Sequence, residues 1–537
     1  MSYVLGIDVG TTKLRCFAVD RDGKQISSHF TAVTVDHPQP GYSEIDPEGL
    51  WLGFKEVVSG TLSNGQLDAK DAACMGITCQ RNTFLLWNRS TGEPLCNLIT
   101  WQDRRAAEVC QEWNHSMQFK FIHAGAGFMH FLTRSKRFLA ASIVTLQTQH
   151  VAPRLYWALN NIEGAKQMAI QGNLCFGTVD SWILWKLTDG AVHATDYSHV
   201  CGTLLYDPYQ MKYSDTMLSV MGFPRSMLPK VKDTGGLFGH IAEHHFGSSI
   251  PIMGLISDQT SAMFAQGCWD PGDIKCSMGT GMFFCVNTGS KPHASLTGFY
   301  PIIGWKIGGE LIYIAEANFP SSGSVIEWGK RFGMFSDPAE TEDIAESVED
   351  SDGICFVPAF DGIQVPYNDP CATASIIGLT HNTRKEHMVR AMLESLSYTF
   401  KQIYDVAGTE IALKFKRIRV DGGVSCNNFV VQLTSDLIGR SVERPRDVDM
   451  TVYGAIYVAG LASGFWKSRD EIKQFWELDR QFEPKDPSSK EGKQILQRFK
   501  TWQQAVERSL GWYKQMDSGV NGNNSENLEG NKVEEKV

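Results

Sequence analysis

Nowhere in this 537-residue chain does a GxxxxGK run followed by Ser or Thr occur, which excludes the P-loop mode of phosphate binding. No two of its 13 cysteines stand in CxxC spacing. Their odd number, scattered from Cys16 to Cys426, argues for reduced, buried thiols rather than disulfides or a zinc site. No charged-then-apolar leader pattern is present, because Asp8 interrupts the first apolar run; no secretory signal is read, and a soluble cytoplasmic protein is expected. The apolar stretch near Phe138–Leu146 is too short to span a bilayer. Basic charge is scarce as well: 50 Lys+Arg against 60 Asp+Glu leave a net charge of −10, which argues against a nucleic-acid partner. It does not argue against a small anionic ligand, since local fields can oppose net charge.

What is present is enough for large cores, with 42% hydrophobic residues and 20% charged. The length fits two large α/β domains. Glycine is in mild excess, 50 residues or about 9% against an average near 7%. One of them, Gly10, sits in a turn near the start, where Val4, Leu5 and Ile7 lead through Asp8-Val9-Gly10-Thr11-Thr12 into Leu14, Cys16, Ala18 and Val19. A similar unit lies mid-chain: Ile274, Cys276, Met278-Gly279-Thr280-Gly281, then Phe283, Phe284 and Val286. Two strand-turn-strand units with Gly-Thr tips suggest a duplicated domain. Helical stretches fall between strands: Pro47–Leu62, Arg104–Trp113, Ile183–Leu187, Ser324–Phe332, His387–Tyr404 and Asn428–Ile438. Apolar Ile495, Phe499, Trp502, Val506 and Leu510 follow a 3.6-residue period. The alternation predicts an α/β architecture. From about Asp517 the chain is polar and lacks aromatics, and a disordered tail over 517–537 is expected.

Three clusters carry the chemistry. Asp8, at a strand end one turn from Gly10, Thr11 and Thr12, suits a Mg²⁺ shell beside backbone amides that cradle phosphate; an ordinary hairpin reads the same. Gly254-Leu-Ile-Ser-Asp258-Gln259 is another strand ending in an acid, suited to a general base or, equally, to capping a helix. Ile418-Arg-Val-Asp-Gly422-Gly423, followed by Asn427, lets backbone lie flat against a base or ribose, and is also a common turn.

In this order, across two halves, the clusters resemble the ATP-binding set of the actin/hexokinase/sugar-kinase superfamily, in which two ribonuclease-H-like domains flank an interdomain ATP cleft. Ala374-Ser-Ile-Ile-Gly-Leu and His387-Met-Val-Arg-Ala-Met-Leu-Glu394 look like the FGGY carbohydrate kinase signature. Gly41–Pro47, Thr78-Cys-Gln-Arg81, Trp101–Arg105, Gly177-Thr-Val-Asp-Ser-Trp182, Thr195-Asp-Tyr197 and Val357-Pro-Ala-Phe360 are similar to the glycerol kinases. The stretch at Arg134-Ser-Lys136-Arg137-Phe138 resembles a divergent branch of them.

The resemblance implies an N-terminal domain over 1–255, with the polyol site and first phosphate loop, and a C-terminal domain over 256–516 with the nucleotide site. It implies phosphoryl transfer from MgATP to a polyol, glycerol first, with Asp258 as base and Asp8 and Asp258 at Mg²⁺. Thr11, Thr12, Lys13, Arg15 and Thr280 would meet the ATP phosphates. Gly323, Glu327, Gly423 and Asn427 would meet the adenosine. Arg81, Asn82, Trp101, Gln259 and Phe283 would line the polyol pocket. There the chain departs from the pattern: Asn82 stands where glycerol kinases carry Glu, the Asp-Pro-Tyr-Phe segment is missing, and Arg154 replaces a lysine. Those departures keep two alternatives open, a kinase for another polyol or sugar, and a nucleotide-binding pseudokinase with an interaction role. The basic run at Arg134–Arg137, with Phe138, Leu139, Ile143 and Leu146 behind it, reads as a surface helix with a solvated end. Its other reading is a contact for a second subunit or for an anionic membrane, such as the mitochondrial surface.

Overall fold

Every residue of the strand Tyr3–Val9 is buried, because it lies inside a sheet covered on both faces. A computed structural model describes residues 2–513; the tail expected from 517 lies outside the described residues. Tyr3, Leu5, Ile7 and Val9 point to one face, against Leu50, Phe54, Val57 and Val58 of the helix Pro47–Asn64. Val4 points to the other, towards Val452 and Ile456 of the helix Met450–Ser463. The order of this first sheet is Gly235–His240, Pro251–Ser257, Ala72–Cys79, Tyr3–Val9, Lys13–Val19, Gln25–Ala32.

The second sheet repeats the plan. Tyr3–Val9 pairs antiparallel with Lys13–Val19 and parallel with Ala72–Cys79. Ile274–Met278 likewise pairs antiparallel with Met282–Gly289 and parallel with Ile418–Asp421. Beyond these, Gln25–Ala32 and Glu310–Phe319 extend the antiparallel sides, while Pro251–Ser257 and Val442–Pro445 extend the parallel ones. The two Gly-Thr turns thus occupy the same place in two sheets of like topology. This is the two-domain α/β arrangement that the alternation of elements predicts.

Two helices cross between the sheets. Met450–Ser463 comes from the second half yet lies on the first sheet, while Phe264 of Asp258–Ala265 packs edge-on against Trp305 of the second, 5.2 Å between ring centres. Glycines allow the approach: a Cβ on Gly6 would lie 2.2 Å from the Ile456 side chain, and one on Gly76 would lie 2.1 Å from the Ala455 carbonyl. The helices meet where Gly454 faces Ser261.

Helix boundaries shift modestly from the sequence reading. The helix expected over Arg104–Trp113 runs from Ala107 to His115, because Asp103 accepts from the Arg105 N–H (2.9 Å) and holds a turn there. The stretch around Arg134 is not one surface helix but a helical hairpin, Met117–Thr133 and Lys136–Ile143, broken at Arg134 with φ of 55°. All 13 cysteines are free, and Cys426 alone is exposed. No helix among the described residues is long and apolar enough to cross a membrane.

A Cβ at Gly454 would lie 2.0 Å from the Ser261 carbonyl oxygen, a backbone atom that cannot rotate away. Gly454→Ala is therefore expected to destabilise by about 1–3 kcal/mol through overpacking, read as a lower urea midpoint. An unchanged midpoint would show that the two helices can slide apart.

Candidate active site

The strands Tyr3–Val9, Ala72–Cys79 and Pro251–Ser257 run parallel, so their C-terminal ends emerge along one edge of the first sheet. Asp8 pairs in register with Thr78, and Thr78 with Ile256; Asp258 follows two residues later. Both acids therefore face the same side. Asp8 is buried, and its pKa is pushed up to about 7 by that burial, with Asp258 and Asp449 adding to the rise and Arg15 opposing it. Arg15 Nη1 lies 3.9 Å from Asp8 and 2.8 Å from Asp449.

Asp258 heads the helix Asp258–Ala265. Arg81 Nε lies 3.7 Å from it, and the same guanidinium donates to Glu316 from the second sheet. Burial raises the Asp258 pKa and Glu316 adds to this, while Arg81 and the Gln259 N–H hold it back. Gln259 accepts from Lys275 Nζ at 2.8 Å. Behind Asp258, the Ser257 N–H donates to Ser198 Oγ (2.8 Å), and Ser198 donates to Asp196 (3.0 Å). Asp196 also accepts from His199 Nδ1 at 2.6 Å, and Asp180 accepts from Thr195 at 2.6 Å. The motifs Gly177–Trp182 and Thr195–Tyr197 thus build a fully buried polar brace under the strand that carries Asp258.

Trp101 and Phe283 meet edge-on with ring centres 6.4 Å apart, forming an apolar wall. The indole N–H of Trp101 donates to Thr11 Oγ1 (3.0 Å), and Thr11 donates to Gln80 Oε1 (2.9 Å). Asn82 sits beside Arg81 in the left-handed region, with φ of 63°, and its Oδ1 is buried without a hydrogen-bond partner. Arg154, fully buried, donates to the carbonyls of Asn82 (2.7 Å) and Gln149 (2.9 Å), and to that of Thr100. Gln149 Oε1 in turn accepts from Asn318 Nδ2 at 3.2 Å, and Asn318 Oδ1 is a second buried acceptor without a partner.

On the second sheet the Gly279–Gly281 turn is wedged between glycines. A Cβ on Gly323 would lie 2.7 Å from the Gly279 carbonyl, and one on Gly422, whose φ is +85°, would lie 2.7 Å from the Met278 carbonyl. Thr280 is thereby held between the helix Gly323–Arg331, which carries exposed Glu327, and the turn into Gly423. Asn427 caps the helix Asn428–Ile438, accepting from the Val430 N–H (3.1 Å) and donating to Thr341 (3.2 Å). Thr12 and Lys13 are exposed at the first turn.

Sequence reading missed Glu316, Lys275, Gln149 and Asn318. One signal was available: Glu316 interrupts the buried run Ile312-Tyr-Ile-Ala315, and a carboxylate there needs a partner.

The sequence matches the N-terminal domain of the FGGY family of carbohydrate kinases over residues 3–265 and its C-terminal domain over residues 274–463. The chain belongs to that family and is a kinase that transfers phosphate to an alcohol group. Among known proteins it is 47% identical to "Glycerol kinase 5" of Danio rerio over 516 residues, which is 96% of this chain and 98% of that protein. It is 38% identical to "Glycerol kinase 2" of Thermotoga maritima, over 96% of this chain and all of that one. The solved structure of Plasmodium falciparum glycerol kinase with ADP superposes with a TM-score of 0.84 at 29% identity, covering 95% of this chain and 98% of that one.

Two buried histidines set an acid limit. His150, next to Gln149, accepts the Gln147 N–H through Nδ1 (3.1 Å), which requires an unprotonated nitrogen there. Burial pushes its pKa down to about 3, and that of His193 down to about 4. Unfolded, both return to about 6.5, so below that pH the unfolded chain binds more protons than the folded one. Stability fully present above about pH 6.5 is therefore lost as pH falls, by at most about 1.4 kcal/mol per unit for each ring. Asp8, whose raised pKa makes the folded chain bind the extra proton, acts in the opposite sense over the same range. The His193 ring is therefore read by difference: from pH 7 to pH 5 the urea midpoint should fall less, or rise more, in His193→Gln than in the wild type. An identical pH dependence in His193→Gln and the wild type would show that this ring protonates in place.

Proposed function

We propose that the chain phosphorylates glycerol to glycerol 3-phosphate by in-line transfer of the γ-phosphoryl group of ATP, with Asp258 as the general base. The observation that carries this is the placement of Asp258 beside Arg81 at the strand ends, with the Trp101–Phe283 wall close to the Thr11 loop. The names of the relatives support the choice of glycerol. On this reading residues 1–255 hold the polyol and the first phosphate loop, and 256–516 hold the nucleotide.

Arg81 would donate to two hydroxyls, with the Gln259 amide beside it. Asn82 Oδ1, buried and unpartnered, is an acceptor suited to a third hydroxyl. Trp101 and Phe283 would pack on the carbon chain. Backbone amides of the two Gly-Thr turns, with Thr11, Thr12, Lys13, Arg15 and Thr280, would hold the phosphates. Gly323, Glu327, Gly423 and Asn427 would flank the nucleoside. Asp8 and Asp258 fit Mg²⁺, because Asp258 raises the proton affinity of buried Asp8, and two neighbouring carboxylates suit a hard divalent cation. Bound there, the ion would neutralise phosphate charge.

Asp258 accepts the hydroxyl proton as the oxygen attacks. Arg81 and the Gln259 N–H hold its carboxylate oriented. Phosphoryl transfer needs alignment above all, and positioning supplies roughly 7–11 kcal/mol. A base adds about 10²–10⁴ in rate.

Asp258→Asn is accordingly expected to lower turnover by about two to four orders of magnitude while ATP still binds. The measurement is ADP release against a panel of polyols and sugars, alongside nucleotide titration. Near-full turnover in the variant would remove Asp258 from the base role. ATP binding without stimulation by any polyol would overturn the kinase assignment to glycerol.

A further inference from the structure

The hairpin Met117–Thr133 and Lys136–Ile143 carries an apolar face that nothing among the described residues covers. Met117, Phe121, Phe128, Phe131 and Leu132 are 58–70% exposed. At 3.6 residues per turn, Phe131, Ala124, Met117, Phe128, Phe121, Leu132 and Gly125 follow one another about 20° apart, a continuous arc of about 120°. The opposite side is anchored: Phe119 and Ala126 are buried, Phe119 packs on Trp113, and His123 Nε2 donates to the Val144 carbonyl (2.8 Å). The helix is thus fixed to the protein by one face and offers the other.

Charge selects what that face meets. Residues 117–143 contain Lys120, Arg134, Lys136 and Arg137 and no Asp or Glu, in a chain of net charge −10. Arg137 is tied to Asp207 at 2.6 Å. Lys120, Arg134 and Lys136 are exposed and form no ion pair among the described residues. Lys120 borders the arc about 20° beyond Phe131. Arg134, at the turn, lies 5.6 Å from the centre of the Phe131 ring. Cations therefore rim the aromatic face. A second copy docked by two-fold symmetry would set this basic rim against itself, whereas an anionic bilayer takes the rings at its acyl boundary and the cations among its headgroups.

We propose that this hairpin lies in the plane of an anionic lipid bilayer, with Met117, Phe121, Phe128, Phe131 and Leu132 inserted and Lys120, Arg134 and Lys136 on the headgroups. The proposal does not depend on which polyol is phosphorylated.

The test is co-sedimentation of the full chain with vesicles of phosphatidylcholine containing 30% phosphatidylserine, against pure phosphatidylcholine. Binding to the anionic vesicles, weakened by salt, is expected. F121S/F128S/F131S should abolish it, and K120E/R134E/K136E should lower partitioning at least about 100-fold, from roughly fivefold per basic residue. Both variants should keep wild-type urea midpoints and wild-type ATP turnover. Absence of wild-type binding, or undiminished binding by either folded variant, would overturn the proposal. A dimer lost in the serine variant, without vesicle binding, would assign the face to a second copy instead.

Discussion

Arg81 stands between two carboxylates that come from different sheets: Asp258, at the end of a first-sheet strand, and Glu316, in the middle of a second-sheet strand. Burial alone would make its charge expensive, yet its pKa is held above the ordinary arginine value because Glu316 and Asp258 outweigh the loss of water. Removing one partner from such a buried pair typically destabilises by about 3–5 kcal/mol, since the remaining charge is left uncompensated. The same guanidinium thus joins the two sheets and sets the electrostatic surroundings of the proposed base. Stability and chemistry are not separable at this residue.

The crossing helices serve that contact. Only because Gly6, Gly76 and Gly454 present bare backbone can Met450–Ser463 lie so close to the first sheet and to Asp258–Ala265. A wider spacing would carry Glu316 away from Arg81. The wedge of Gly323 and Gly422 around Gly279 works likewise on the second sheet, letting three backbone segments converge on one phosphate-sized turn.

Much of the architecture was legible in the residues. Asp8 and Asp258 stand at the ends of apolar runs, and two Gly-Thr turns at equivalent points mark a repeated sheet, because strand length and turn chemistry are local properties. Glu316 was not legible as a partner of Arg81: the two are 235 residues apart, and only the sheet pairing brings them together. Gln149 lies in a stretch that departs from the family pattern, so no motif pointed to it. The helix Met117–Thr133 escaped for another reason. It is apolar on both sides, and periodicity finds a helix only when one face differs from the other.

One hydroxyl has a wider meaning. Thr11 receives the Trp101 indole N–H while belonging to the loop after Asp8. A ligand that repositions Thr11 must move the aromatic wall, and a ligand seated on the wall must restrain the loop. Linkage then requires reciprocity: whatever affinity the first ligand lends the second, the second returns in equal measure. Order of binding would in that case be a kinetic matter, while the coupling free energy would belong to a single hydrogen bond shared by two pockets.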